Sequence, residues 1–463
     1  MEKASQNNGS DPKTVLIPKG YAFSSMAMNA KNLTGVTLQI DGIWETSPYN
    51  EQWPRYEGST DVLDFLTFTD CTDLTIKGEG TVDGLAYDWW VREWARKNPG
   101  GRPQNLKFIR VQTAEIAGVT WLNPPFWNME LRDIDSVYVH DFEYRVEILR
   151  QFGHVSEAHQ AKTFEDRVTD FCFDFGMRVF GPYEWLVRML FSGKTDWLSS
   201  PTFPLNTDGI DPSGSNVTIR NIKMTNWDDA VAIKPSNKGY KIAKEGCSQD
   251  ITVENMTVQF GIGATIGSVP PSPQHACVRR VSFKNLQFNY PVKAIYVKSN
   301  PGVGTGEIRD IWYENIKMHF PLWYGIYIGP QQQEQPDGSG PGCMTYPLKP
   351  CETQPFIDFR NITLKNVHSE GGFFPPGIIR CNASNPCQDI NLIDVNVTGW
   401  WKDMGWTYIS EYAYGSAQNS YPDPYLGKQT ERVFDLLTVD NALTFLGESV
   451  HFYEADEVDI LGW

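Results

Sequence analysis

A six-residue pattern, apolar–x–apolar–x–Asn–apolar, returns again and again along this chain. It reads VTIRNI (217–222), ITVENM (251–256), VSFKNL (281–286), IWYENI (311–316) and ITLKNV (362–367), and INLIDV (390–395) repeats it with Asp for Asn. Weaker copies are VTLQID (36–41), LTIKGE (74–79) and VYVHDF (137–142). Alternating apolar and polar positions with β-branched residues mark a strand with one buried face. The copies at 217, 251, 281 and 311 start 34, 30 and 30 residues apart, and a strand returning at a near-fixed period marks a solenoid. A leucine-rich repeat would need an LxxLxL register, which the copies lack. The expected fold is therefore all-β: a single-stranded right-handed parallel β-helix. The recurring Asn amide can bond to the Asn of the next coil, forming a ladder inside the stack.

Strands stacked in this way lie about 4.8 Å apart. Residues one coil apart in sequence therefore become neighbours. The stretch NTDGID (206–211) is followed by WDDAVAIK (227–234), and Asp208 and Asp228 are 20 residues apart, close to one coil. Asp208, Asp228 and Asp229 should converge on one face of the solenoid. Aspartate also caps turns, but three clustered carboxylates repel one another and are kept where a site uses them.

Forty basic against 56 acidic residues leave a net charge of −16, which argues against nucleic acid as a partner. No run of 18 apolar residues is present, so no membrane span is expected. The sequence begins without the apolar stretch of a signal peptide. Other features point to an extracellular protein. N-x-S/T sequons stand at Asn8, Asn32, Asn216, Asn255, Asn361, Asn382 and Asn396. Cys381 with Cys387, and Cys343 with Cys351, are spaced as short disulfide loops; Cys247 and Cys277 flank one repeat and make a further candidate pair. Cys71 and Cys172 have no evident partner.

Several stretches, in order and spacing, resemble glycoside hydrolase family 28, the polygalacturonases and related pectin hydrolases. They are GTVDGLAYDWW (80–90), WLNPPFWN (121–128), NTDGID, WDDAVAIK, FGIGATIGS (260–268) and AIYVKSN (294–300). The resemblance implies an inverting hydrolase of α-glycosidic bonds in a pectic polysaccharide. Asp228 would be the general acid, with Asp208 and Asp229 holding and deprotonating the attacking water. Inverting enzymes space acid and base by about 6.5–9.5 Å. No metal or cofactor is required. Asn206 would shape the turn presenting Asp208, and Lys298 and Tyr324 would bind substrate, with Lys234 a further cleft residue. Such proteins are expected to act as monomers.

Two departures concern the subsite beside the acids. Ile262 stands where the family has His, and Tyr296 where it has an Arg that clamps a carboxylate in two places. Alternative readings are a rhamnogalacturonan-type hydrolase, a catalytically weakened carbohydrate-binding relative, or a calcium-dependent lyase on the same fold. His275, in PSPQHACV, reads as a loop histidine. Residues 1–400 are expected to form the β-helix. Residues 143–200 would be a helical insertion within it, with helical patterns at 163–175 and 183–191 and the potential to act as a lid. Residues 401–463 would cap the last coil.

Overall fold

The computed structural model describes residues 1–6, 13–47, 50–94, 97–148, 151, 153–155, 204–236, 246–330, 346, 351–372, 374–399 and 407–427. The expected helical insertion beyond 155, most of the expected C-terminal cap, Cys172 and Cys343 lie outside them. The described strands form a parallel β-helix in which each coil pairs with the one before and the one after.

The repeated pattern forms one continuous stack. Val137 pairs with Val217, Val217 with Ile251, Ile251 with Val281, Val281 with Ile311, Ile311 with Ile362 and Ile362 with Ile390. From Val217 onward these side chains are at most 1% exposed, so the first apolar position of each repeat lines the core. Stacking continues two positions further on, where Phe283 lies parallel to Tyr313 at 4.7 Å between ring centroids. Burial of such aliphatic and aromatic columns is the main stabilising term of the fold.

The asparagine ladder is present, with one difference from expectation. Asn255 Nδ2 donates to Asn221 Oδ1, Asn285 to Asn255, Asn315 to Asn285 and Asn366 to Asn315, at 2.6–3.2 Å. Asn221 in turn donates to Asp141 at 2.8 Å. The ladder runs along the outside of the stack, however, with Asn221, Asn255, Asn285 and Asn315 exposed. The cause is the backbone. Each of these asparagines has a φ between +52° and +58°, the left-handed conformation that bends the chain from one face to the next. Asparagine tolerates it better than other residues that carry a side chain.

A second face is built from short strands, among them Met28–Lys31, Leu66–Thr69, Leu106–Ile109, Asp229–Ile233, Ile262–Ile266, Lys293–Lys298 and Ile326–Gly329. The first segments of Met129–Arg145 and Ile210–Thr225 complete it. This face carries the aspartates. The stack also runs past residue 400. Ile409–Glu411 pairs with Gly377–Arg380, Ala413–Gln418 pairs with Cys387–Val397, and Asn419 bonds to Asp394. A helix over Tyr87–Trp94, which the repeat pattern does not reveal, packs beside the stack through the buried Trp89 and Trp90.

Disulfides join Cys247 to Cys277 and Cys381 to Cys387. The first staples adjacent coils, since Ser248 pairs with Val278. Cys71 is buried as a free thiol.

Candidate active site

Asp208 sits between two coils. Its carbonyl accepts from Asn128 N at 2.8 Å, and the next residue, Gly209, donates its N–H to Asp229 O at 2.9 Å. A Cβ on Gly209 would stand 2.4 Å from Ala230 O, so only glycine allows the two coils this close approach. Ile210 then pairs with Val231. The register places Asp208 over Asp229, and the carboxylate oxygens of Asp208, Asp228 and Asp229 come within 4.8 Å of one another. All three are at least nine-tenths buried.

Their partners differ. Asp228 accepts from two backbone N–H groups, Asn206 at 3.1 Å and its neighbour Asp229 at 2.9 Å. Asp229 accepts from Thr265 Oγ1 at 2.5 Å and from Lys298 Nζ at 3.0 Å. Asp208 Oδ1 is buried with no hydrogen-bond partner. Burial, followed by the charges of Asp228, Asp211 and Asp229, pushes Asp208 well above the usual carboxylate range. Burial and Asp229 push Asp228 up to about 6, against the pull of Lys298 and the two N–H bonds. Burial pulls Lys298 down, but Asp229 and Asp228 more than offset this and hold its ammonium above the ordinary value. Asp208 and Asp228 therefore hold their protons to higher pH than ordinary carboxylates, and neighbouring acids this close affect one another's protonation.

The other sequence-derived residues fall around this cluster. Asn206 adopts a φ of +62° and meets Asp228 through its backbone. The Tyr296 ring has the Lys298 ammonium 4.6 Å from its centroid and that of Lys293 at 4.5 Å. Tyr324 packs against Trp323 and Phe374. The tyrosine opposite Tyr296 in the stack is Tyr327, in edge-to-face contact at 5.4 Å. Ile262 is buried in register with Asp229. Lys234 pairs with Asp211 at 3.3 Å and lies over the Trp127 ring. His275 bonds Thr305 on an outer turn.

Lys234 and Asp211 also line a cavity of about 290 Å³, together with Glu130, Arg132, Asp133, Ser213 and Pro235. Burial raises Asp211 to about 7 despite Lys234. The three aspartate oxygens are also close enough to share a cation. Chemically, the arrangement offers a proton donor near neutrality, carboxylates to activate water, and cations on both flanks.

The sequence profile of glycosyl hydrolases family 28 matches residues 8–147 and 193–413. The chain belongs to glycosyl hydrolases family 28. It is 22% identical to an exopolygalacturonase of Platanus acerifolia over 84% of this chain and 82% of that one. It is 24% identical to a putative galacturan 1,4-alpha-galacturonidase A of Aspergillus flavus, over 86% and 83%. A probable rhamnogalacturonase E of the same fungus is 26% identical over 45% of this chain and 40% of that one. Two solved structures share the fold of this family 28 glycoside hydrolase. The polygalacturonase of Erwinia carotovora has a TM-score of 0.57 at 17% identity, over 90% and 93% of the two chains. The endo-xylogalacturonan hydrolase of Aspergillus tubingensis has 0.55 at 16%, over 90% and 92%.

Sequence reasoning missed Arg102, Thr265, Lys293 and Tyr327 in this hydrolase. Thr265 and Tyr327 were findable by strand register, since Ala232, Thr265, Tyr296 and Tyr327 form one column across the coils. Arg102 carried no such signal.

Proposed function

We propose that this family 28 hydrolase cleaves α-glycosidic bonds of a pectin-type polysaccharide with inversion at the anomeric carbon. The observation that carries the reading is the convergence of Asp208, Asp228 and Asp229 on one face of the stack. Asp228, held up to about 6, protonates the leaving glycosidic oxygen. Asp208 and Asp229 hold a water molecule and take its proton as it attacks the anomeric carbon. In the substrate-free cluster burial favours a proton on Asp208; within one coupled set of acids, the proton must pass to Asp228 before the glycosidic bond breaks. Asn206 shapes the turn. Lys298 and Tyr296 face the sugar next to the acids, and Tyr324 supports that wall. No cofactor takes part.

The carboxylate spacing departs from the expectation for inversion. Oxygens within 4.8 Å are closer than the 6.5–9.5 Å typical of inverting pairs and nearer to retaining enzymes. Support for inversion comes from the third aspartate, which gives a water molecule two carboxylates while the remaining one acts as acid, and from the family resemblance.

The relatives bear polygalacturonase, galacturonidase and rhamnogalacturonase names, which supports a pectic substrate. Tyr296 in the family's arginine position favours a second reading, a rhamnogalacturonan-type backbone with a neutral sugar at that subsite. The sequons and the disulfides among the described residues support an extracellular, glycosylated monomer. Of the span 143–200 expected as an insertion, Glu143 to Arg145 belong to the stacked strand Met129–Arg145; the remainder would be an insertion within one catalytic domain that the C-terminal segment completes.

The deciding experiment compares reducing-end release from polygalacturonate and from rhamnogalacturonan by wild type and Asp228→Asn. Release abolished by the substitution supports the hydrolase, and the preferred polymer selects the reading. No release on either polymer from folded wild type would leave a carbohydrate-binding protein.

A further inference from the structure

Two stretches that mark the family, GTVDGLAYDWW and WLNPPFWN, have no part in the chemistry above. The structure brings the second stretch, and the helix that the first one begins, to one buried side chain. Arg102 lies between them in sequence and is 7% exposed. Its Nη1 donates to Pro125 O at 2.9 Å and to Leu205 O at 3.0 Å, and its Nη2 to Asn206 Oδ1 at 3.1 Å. Its Nε faces Glu93 Oε2 at 3.7 Å, on the helix Tyr87–Trp94, and its guanidinium carbon lies 5.0 Å from the centroid of the Phe126 ring. Trp90 Nε1 donates to Pro124 O at 3.2 Å and so ties the 124–127 turn to the same helix.

The residue that Arg102 grips is the one that touches the acid. Asn206 N donates to Asp228 Oδ2 at 3.1 Å, from a left-handed backbone that does not hold itself. The following residue is fixed from two other sides, by Tyr144 Oη on Thr207 O and by Trp227 N on Thr207 Oγ1. A continuous chain of contacts therefore runs Glu93–Arg102–Asn206–Asp228.

We propose that Arg102 is the positioning residue of the catalytic acids. Its planar fork holds the 205–206 backbone so that the Asn206 N–H meets Asp228, and its charge stands behind Asp208 and Asp228. The effect on turnover rests on the hydrolase reading; the effect on the acids does not. Burial pulls the guanidinium down to about 10, with Glu93, Asp208 and Asp228 pulling it back up, so it stays charged throughout the working range. Asp229, Asp211, Lys298, Lys234 and Lys293 face the acids from their own sheet; Arg102 approaches from the helix and the 124–127 turn. Lysine would keep the charge but could not make three directed bonds from one plane.

Two measurements on Arg102→Gln and Arg102→Lys test this. The first is the pH profile of kcat/KM and kcat on the preferred polymer. For Arg102→Gln the expected result is a drop in kcat of about tenfold to a hundredfold. Both limbs should also move to higher pH together, because a cation that favoured both ionised acids is gone. Arg102→Lys should keep the limbs in place and recover only part of kcat. A fall in amplitude with unmoved limbs, or no fall, would overturn the proposal.

The second measurement is the melting temperature at acidic and at neutral pH, with and without Asp208→Asn and Asp228→Asn. Arg102→Gln should destabilise more at neutral pH, above the value of about 6 to which Asp228 is raised, and the excess should vanish in the double-Asn background. An excess that persists there, or never exists, overturns the proposal even if the wild type proves not to be a hydrolase. Should Arg102→Gln fail to fold, Arg102→Lys and the same cycle decide: a kcat loss with unmoved limbs supports positioning, and wild-type kcat refutes it.

Discussion

Lys298 Nζ stands 3.0 Å from Asp229 Oδ2, with 7% and 2% of the two side chains open to solvent. A buried ion pair adds little net stability as a pair, but removing one partner strands the other charge. Lys298→Met should therefore lose about 3–5 kcal/mol at neutral pH. Lys298→Met with Asp229→Asn should recover most of that loss, though not turnover. Urea unfolding of the two variants checks this, and a single variant as stable as wild type would refute it.

The raised acids should destabilise the fold they serve. Asp228 is raised from 3.8 to about 6, so the protonated form is the one the folded state prefers. Its favourable contribution is full below the unfolded value and is lost as pH rises through about 6. Asp228→Asn should then be more stable than wild type at neutral pH, by at most about 3 kcal/mol for a shift of about two units. The two should be nearly equal in stability well below pH 4, while the variant is inactive throughout. Thermal melts across pH would show this, and equal gains at both ends would count against it.

The first product anomer decides how the close carboxylates work. Inversion at an α-linkage should give the β-anomer before mutarotation, visible by proton NMR in the first minutes. An initial α-anomer would assign the cluster to the retaining pattern that its spacing resembles.

The outer ladder depends on left-handed asparagines. Asn285 bonds to Asn255 and to Asn315 and has a φ of +55°. Asn285→Ala removes both bonds and strains the bend, whereas Asn285→Gly removes the bonds alone. Alanine should cost roughly 1–3 kcal/mol and glycine less. A glycine variant as unstable as the alanine one would show that the bonds, and not the bend, carry the effect.

A cation shared by the three aspartates would hold them ionised and so remove the proton donor. Exhaustive treatment with a chelator should leave hydrolysis unchanged, and excess Ca²⁺ should slow it. Activity lost on chelation and restored by Ca²⁺ would point instead to lyase-type chemistry, checked by the near-ultraviolet absorbance of an unsaturated product.

The coil repeat and the convergence of Asp208 with Asp228 and Asp229 were legible because both are matters of period. Once strands stack, sequence spacing becomes spatial position. Register decides finer questions that period leaves open. Tyr324 and Tyr327 lie three residues apart in WYGIY, and only the pairing of Tyr296 with Tyr327 shows which one continues the Tyr296 column. The carboxylate spacing was illegible for a related reason, since coil stacking places backbones and leaves side-chain torsions to local partners such as Lys298 and Thr265. Arg102 was hidden because its partners at 93, 125 and 205–206 belong to a helix and two loops with no common period.

The pairing of Val137 with Val217 also governs how such a chain can change. Ser215 bonds Asp135 across 80 residues, while the later coils are joined over 25 to 51. The coil after the long excursion nevertheless docks with the same spacing as the others, because register is specified strand by strand and not by connection length. Length between coils is thus a free variable for a polymer that meets the chain from outside. Exchanging the segment ahead of Asp208 for one of another size should leave the acids where they are.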